Sequence, residues 1–188
     1  MYTVEKTEIP EVVVLTPRVF PDDRGLFFES FSEKALADVG IAFQLRQENY
    51  IVNEKAGVLR GLHFQNAPFA QAKIVRCTVG EVDDVAVDLR KGSPTYLKWV
   101  MVRLTAENKK QIYLPKGFAH GVISRSEYSE VQYAVDAGYA PQADRNIRWD
   151  EPQIGVDWGT AQPVLSPKDQ SAPSLAESDC NFVYGSAE

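Results

Sequence analysis

Histidine occurs only twice in this chain, at His63 and His120, and cysteine only twice, at Cys77 and Cys180. Two histidines exclude any site that needs three within one chain. The order His63, Cys77, His120, Cys180 has none of the short paired spacings of Cys–His zinc sites, so no metal and no other cofactor is expected. Two cysteines among 188 residues cannot build a disulfide framework; they fit a reducing compartment, and a cytoplasmic location is expected. No apolar run approaches the roughly 18 residues of a membrane span. Met1 to Pro10 carries Glu5, Lys6 and Glu8 where a signal peptide needs an apolar centre, so neither a leader nor a membrane partner is expected. Basic charge is short as well: 20 Lys and Arg against 26 Asp and Glu give a net charge of -6, which offers nucleic acid no global attractive field. Walker and GxGxxG sequences are missing, and no serine or cysteine sits in a nucleophile elbow. Long amphipathic helices alternating with strands are missing too, which argues against a doubly wound sheet.

What remains is a succession of short strands. Val12 to Leu15, Gly25 to Phe31, Phe43 to Asn53, Val58 to Phe64 and Lys73 to Val79 are dense in β-branched and aromatic residues. So are Asp84 to Leu89, Tyr96 to Leu104, Gln111 to Leu114, His120 to Ser124 and Ser129 to Val135. Turn residues punctuate the gaps at Pro21-Asp22-Asp23, Gly80-Glu81, Gly92-Ser93-Pro94 and Pro115-Lys116-Gly117. One early helix is expected over Ser32 to Val39, with Ser32 as N-cap and Gly40 beyond its end. The length fits one domain, 1–188, of all-β sandwich or barrel type. Residues 136–188 hold five prolines and form a looser C-terminal wrap.

Strand parity places candidate side chains. In Lys73 to Val79, Lys73 shares a face with Val75, Cys77 and Val79. A lysine on an apolar lining is costly unless paired, which makes Lys73 a site candidate; by periodicity alone a strand-end ammonium reaching to water is the simpler reading. Tyr133 shares its face with Val131 and Val135. Arg60 and His63 have opposite parity, and Gly61 between them can mark a bulge that turns both toward one cavity. Histidine is a residue type that can act as a general base, which makes His63 a candidate, yet a hydrogen-bonded structural histidine has the same sequence appearance. His120, in a turn leading to a strand, is equally open. Lys168-Asp169 is either a solvated charge pair or the source of a carboxylate that orients an imidazole. Arg24 and Glu29 flank Phe27-Phe28, a combination that suits a planar base with a hydrogen-bonding edge or an edge strand.

Seven collinear stretches resemble the dTDP-4-dehydrorhamnose 3,5-epimerases, a family of dTDP-L-rhamnose synthesis. They are Asp23 to Phe31, Gly57 to Gln65, Gly80 to Arg90, Ser93 to Trp99, Pro115 to Gly121, Ile147 to Asp150 and Leu165 to Asp169. The resemblance runs from about Pro21 to Leu175. It implies a cupin-like jelly-roll barrel with short peripheral helices, a homodimer, a dTDP-sugar substrate and no metal. It further implies roles: His63 as the proton-abstracting base with Asp169 as its partner, Tyr133 as the acid on the opposite face of the sugar, and Lys73 as the cation near the C4 keto oxygen. Arg24, Phe27, Glu29, Gln47, Asn49, Arg60, His120, Asp144 and Lys168 resemble contacts to nucleotide, diphosphate or sugar. Tyr139 resembles the residue that stacks on thymine.

This chain departs from the family pattern just after Tyr133 and again at Asp144. Tyr133-Ala134-Val135-Asp136-Ala137-Gly138-Tyr139 stands where Tyr-Lys-x-Thr-Asp-Tyr-Tyr is common, and Asp144 stands where glutamate is common. Tyr133 and Tyr139 are kept. The changes fall where one epimerisation or two is decided, so the expected activity, 3,5-epimerisation of a dTDP-4-keto-6-deoxyhexose, has two alternatives. One is a mono-epimerase acting at C3 or C5 alone. The other is a non-catalytic sugar-nucleotide-binding cupin, which has no need of Lys73 and Tyr133 facing one cavity.

Overall fold

The computed structural model describes residues 2–186. Thirteen strands run through the described chain: β1 (Tyr2–Lys6), β2 (Val13–Pro17), β3 (Val19–Asp22), β4 (Gly25–Phe28), β5 (Gln47–Asn53), β6 (Leu59–Gln65), β7 (Lys73–Val79), β8 (Glu81–Asp88), β9 (Trp99–Thr105), β10 (Gln111–Leu114), β11 (Phe118–Ser124), β12 (Ser129–Val135) and β13 (Asp144–Asn146). Among the described residues, helical structure is confined to α1 (Glu33–Ala37), α2 (Pro167–Gln170) and one 3-10 turn, Leu175–Glu177. None of these is long or apolar enough to cross a membrane. Ser32 caps α1 by accepting from Ala35 N, and Gly40, at φ +84°, turns the chain away beyond it.

The strands form a six-stranded sheet, β1-β2-β10-β7-β12-β5, a five-stranded sheet, β13-β6-β11-β8-β9, and the separate ribbon β3-β4. All ladder pairs between these strands are antiparallel. The two large sheets face one another. Val75, Cys77 and Val131 of one meet Val82, Ala86, Val100, Phe118 and Val122 of the other in a buried core. Period-2 alternation sends the intervening residues to the outer faces. Those of the five-stranded sheet (Leu62, Phe64, Val85, Val87) are covered by Ile147, Ile154, Trp158 and Phe182 of the C-terminal segment. Those of the six-stranded sheet (Val13, Ile74, Ala134) are covered by Leu36 of α1 with Ile41 and Phe43.

The expected closed jelly-roll barrel is not what forms. Among the described residues no ladder joins one large sheet to the other, so both stay open, with β1 and β5 as edges of one and β13 and β9 as edges of the other. Between β5 and β6 the link is a side chain instead of a backbone ladder: Arg60 donates to Asn53 Oδ1 at 3.0 Å and to Val52 O at 3.2 Å. At the opposite side a groove of about 1140 Å³ lies between Lys6–Glu8 and Trp99–Met101. Closure requires strands to pair through both edges, and here side chains and open space occupy those seams.

Candidate active site

A cavity of about 370 Å³ opens between the sheets at the β5/β6 seam. Its walls carry the charged end of an interior that is otherwise apolar. From the five-stranded side come Arg60 and His63 of β6, His120 of β11 and Asp144 of β13; from the six-stranded side come Ile51 of β5, Lys73 of β7 and Tyr133 of β12. Tyr139, Ser166, Lys168 and Asp169 close the rim.

Arg60 and His63 share the cavity because β6 is bulged. His63 pairs with His120 and Arg60 with Val122, so Gly61 and Leu62 together face the single residue Gly121. The extra residue flips parity, and Leu62 points into the outer core while both neighbours point inward. Gly61 has φ +144°, and a Cβ on it would sit 2.6 Å from Gly121 Cα. Only glycine accommodates both that conformation and that approach.

His63 Nε2 lies 2.5 Å from Asp169 Oδ1. Asp169 is 3 % exposed, and its other oxygen accepts from Ser166 Oγ at 2.9 Å. Ser166 is also the N-cap of α2, accepting from Asp169 N, so one hydroxyl starts the helix and fixes the carboxylate. Burial pushes the Asp169 carboxyl up, but the hydrogen bonds from His63 and Ser166 and the charges of His63 and Lys168 outweigh it, and the group lies below the usual carboxylate range. An ionised Asp169 accepts only, so Nε2 carries the imidazole proton and Nδ1 is left as the basic nitrogen.

Across the cavity, Lys73 is buried, with its ammonium 5.8 Å from the centroid of the Tyr133 ring. Burial pulls Lys73 down to about 8, while Asp84 and Asp144 oppose the fall through space. Burial pushes the Tyr133 phenol above its ordinary value, Arg60 opposing and Asp144 reinforcing. Tyr133 is therefore protonated at neutral pH and able to donate. His120 Nε2 lies 2.8 Å from Asp84 Oδ2, and its burial holds the imidazole below its ordinary pKa against the pull of Asp84.

At the rim, Lys168 Nζ donates to Asp144 Oδ2 at 2.6 Å, and Tyr139 OH donates to the same oxygen at 3.2 Å. Tyr139 itself is exposed, with its backbone N–H donating to Gln47 Oε1 at 3.0 Å. Gln47 also donates to Asn49 Oδ1 at 2.7 Å, and Asn49 stands opposite Tyr133 in the β5/β12 ladder. Thus His63, Lys73, Tyr133, Asp169, Arg60, His120, Asp144, Lys168 and Tyr139 converge on one cavity, with Gln47 and Asn49 beside it. Arg24, Phe27 and Glu29 do not line it. Arg24 sits in the turn of the β3-β4 ribbon, ion-paired with Asp22, and Phe27 is 69 % exposed.

Sequence reasoning missed several supporting groups. Asn53 fixes Arg60 and is itself held by a hydrogen bond to Ser129 Oγ at 3.1 Å; its parity with Gln47 and Asn49 was a usable signal. Gln65 shares inward parity with His63. It donates to Phe69 O and Gly138 O and accepts from Ala140 N, clamping the segment that carries Tyr139. Ser166-Pro167 is a readable helix start. Asp84 had no signal beyond its place in a strand.

Among known proteins, the family model for dTDP-4-dehydrorhamnose 3,5-epimerase matches residues 6–177. The dTDP-4-dehydrorhamnose 3,5-epimerase of Salmonella typhimurium is 49% identical over 177 residues, covering 93% of this chain and 96% of that one. The crystal structure of a Legionella pneumophila dTDP-6-deoxy-D-glucose-3,5-epimerase in complex with dTDP-4-keto-L-rhamnose superposes with a TM-score of 0.90 at 41% identity, covering 95% of both chains. A 3'-monoepimerase from Streptomyces bikiniensis, in complex with dTDP-quinovose, superposes with a TM-score of 0.84 at 32% identity, covering 92% of this chain and 87% of that one. With sequence and architecture agreeing over nearly the full length, the chain belongs to the dTDP-4-dehydrorhamnose 3,5-epimerase family.

Proposed function

We propose that this chain inverts C3 and C5 of a dTDP-4-keto-6-deoxyhexose in dTDP-L-rhamnose synthesis, with His63 as base, Lys73 as the cation at O4 and Tyr133 as acid. The observation that carries this reading is the placement of base and acid on opposite sheets around one cavity. C3 and C5 both flank the C4 carbonyl, so loss of either proton leaves an enolate whose charge gathers on O4. His63 takes the proton through the nitrogen that Asp169 leaves free, a step worth about 10²–10⁴-fold. Lys73 lowers the energy of the developing oxyanion, and losing such a donor typically costs about 10²–10³-fold. Tyr133 returns a proton from the other side, which inverts the centre. The imidazolium and the phenolate then exchange protons with solvent, and the net reaction is an isomerisation. Arg60 and Lys168 are the cations suited to the diphosphate, Arg60 through its planar fork. Tyr139 at the rim suits stacking on the thymine, and Asp144 sets the charge around it.

The functional unit we infer is a homodimer in the cytoplasm. The exposed ribbon supports the dimer: Arg24, Phe27 and Glu29 have no use in their own cavity and suit the nucleotide end of a partner's. Free cysteines support the compartment.

The deciding experiment is turnover of dTDP-4-keto-6-deoxyglucose in deuterated water, followed by mass spectrometry and NMR of the recovered sugar. Deuterium at both C3 and C5 is expected. Label at a single carbon would make the enzyme a mono-epimerase, and no label would reduce it to a binding protein.

A further inference from the structure

The mechanism above gives no task to Asp84, a buried charge on the inner face of the core. Asp84 is fully buried in the middle of β8, at a position that parity puts on the inner face with Val82 and Ala86 of the apolar core. A carboxylate there is expensive unless it is fully satisfied. It is not: Oδ2 meets His120 Nε2 at 2.8 Å, but Oδ1 is buried and without a hydrogen-bond partner. An unsatisfied buried carboxylate oxygen calls for an explanation. The facing sheet holds the counterpart, the buried Lys73 ammonium, on which Asp84 acts through space.

We propose that Asp84 is a positioning residue of the reaction, which holds the His120 imidazole with one oxygen and offsets the buried charge of Lys73 with the field of the whole carboxylate. This rests on Lys73 being the cation at O4. Two opposite charges sit on the inner faces of two sheets, at the point where the core gives way to the cavity. Asp84 thereby keeps Lys73 cationic without an ion pair that would draw the ammonium away from the sugar.

The other ionisable groups around Lys73 do not duplicate this. Asp144 of β13 also favours the charged lysine, but its carboxylate already serves Lys168 and Tyr139. Asp169 is taken up by His63. Arg60, His63 and His120 are cations or cation precursors and oppose the charge, and Tyr133 is neutral at working pH. The strand β10, next to β7, sets Leu114 opposite Lys73.

The sign of the effect follows. An active enzyme needs Lys73 protonated, so activity falls as pH rises through the Lys73 pKa, near 8 in the resting site. Removing the Asp84 charge lowers that pKa further and moves the alkaline limb of the kcat profile to lower pH. A nearby opposite charge commonly shifts a pKa by about 1 unit or more. A one-unit fall cuts the protonated fraction at pH 8 from about one half to about one tenth, roughly a fivefold loss.

The test is Asp84→Asn, which keeps shape and an acceptor for His120, assayed for kcat across pH in the parent and in a Lys73→Met background. We expect a loss of about fivefold at pH 8 in the parent, recovered toward lower pH, with KM little changed, and a loss below about twofold in the Lys73→Met background. An unshifted alkaline limb, or the same loss in both backgrounds, would overturn the proposal, because a merely structural Asp84 has no reason to act through Lys73. Failure of both Asp84→Asn and Asp84→Ser to fold would make it structural and overturn it equally. A Lys73→Met enzyme with normal kcat would instead remove the role assigned to Lys73 and leave the His63 and Tyr133 assignments standing.

Discussion

At the scale of single residues, function and stability pull Lys73 in opposite directions. Its pKa in the folded protein is depressed to about 8 from an ordinary 10.5. The unfolded chain therefore binds the proton more tightly than the native one. The penalty is complete below pH 8 and is relieved as pH rises from about 8 to about 10.5. Replacing the residue with methionine keeps the apolar stem and removes the charge. We expect Lys73→Met to lower kcat about 10²–10³-fold with KM little changed. The same variant should gain on the order of 1–3 kcal/mol in stability at neutral pH, the gain shrinking as pH rises from about 8 toward 10.5. Steady-state kinetics and denaturant melts at pH 7 and pH 10 read both effects. A destabilised variant with normal turnover would make Lys73 a packing residue. The position of this lysine was legible from parity, since it shares a strand face with Val75 and Cys77. The position of Asp169 was not: it lies 106 residues from His63 in a short proline-led helix, and nothing local links the two.

At the scale of elements, β6 shows how one irregularity builds a site. Gly61 and Gly121 face each other across the β6/β11 ladder, and each lacks room for a side chain. A Cβ on Gly61 would meet Gly121 Cα at 2.6 Å and His120 O at 3.0 Å, and one on Gly121 would meet the Trp158 ring at 2.7 Å. We expect Gly61→Ala to lose about 2–4 kcal/mol through left-side φ and backbone overlap combined, and to lower activity because Arg60, His63 and His120 move with the bulge. Denaturant titration measures the first, and a wild-type midpoint would show that the bulge tolerates a Cβ. Lys73–Val79, Gln111–Leu114 and Ser129–Val135 could be bounded from sequence because each is dense in β-branched and aromatic residues, and all their residues except Val79 are buried or half-buried. The strand Tyr2–Lys6 could not, since four of its five residues are exposed and its place is set by pairing with β2 and by the buried Tyr2 ring. Pro21-Asp22 reads as a turn but lies in β3, where an edge ribbon has no ladder bond for a proline to break; the turn itself is Asp23-Arg24. Asp144–Asn146 is three polar residues with no strand signal, and it pairs because β6 offers an edge.

For the molecule as a whole, the same sequence signals gave strand content but not closure. Short strands and turn residues are common to closed barrels and open sandwiches, and the seam at β5/β6 is decided by Arg60, Val52 and Asn53, a contact between segments that no local pattern specifies. The seam leaves a cavity that this chain alone does not complete in our proposal, because the β3-β4 ribbon carries Phe20, Leu26 and Phe27 into solvent. Exposed aromatic surface of that kind marks a contact with another molecule. If the ribbon serves the partner's cavity, two different inactive variants should repair each other. His63→Ala disables the cavity of its own protomer, while Arg24→Ala disables the cavity of its partner. In a mixed dimer both defects then fall on the same cavity, and the other has its own His63 and an intact Arg24. With random assortment, half of the dimers are mixed and one of their two cavities works, so mixing after dissociation should restore about one quarter of wild-type activity from two nearly inactive parents. A ribbon acting within its own chain would leave every cavity with one defect, and the mixture would show no more than the average of its parents.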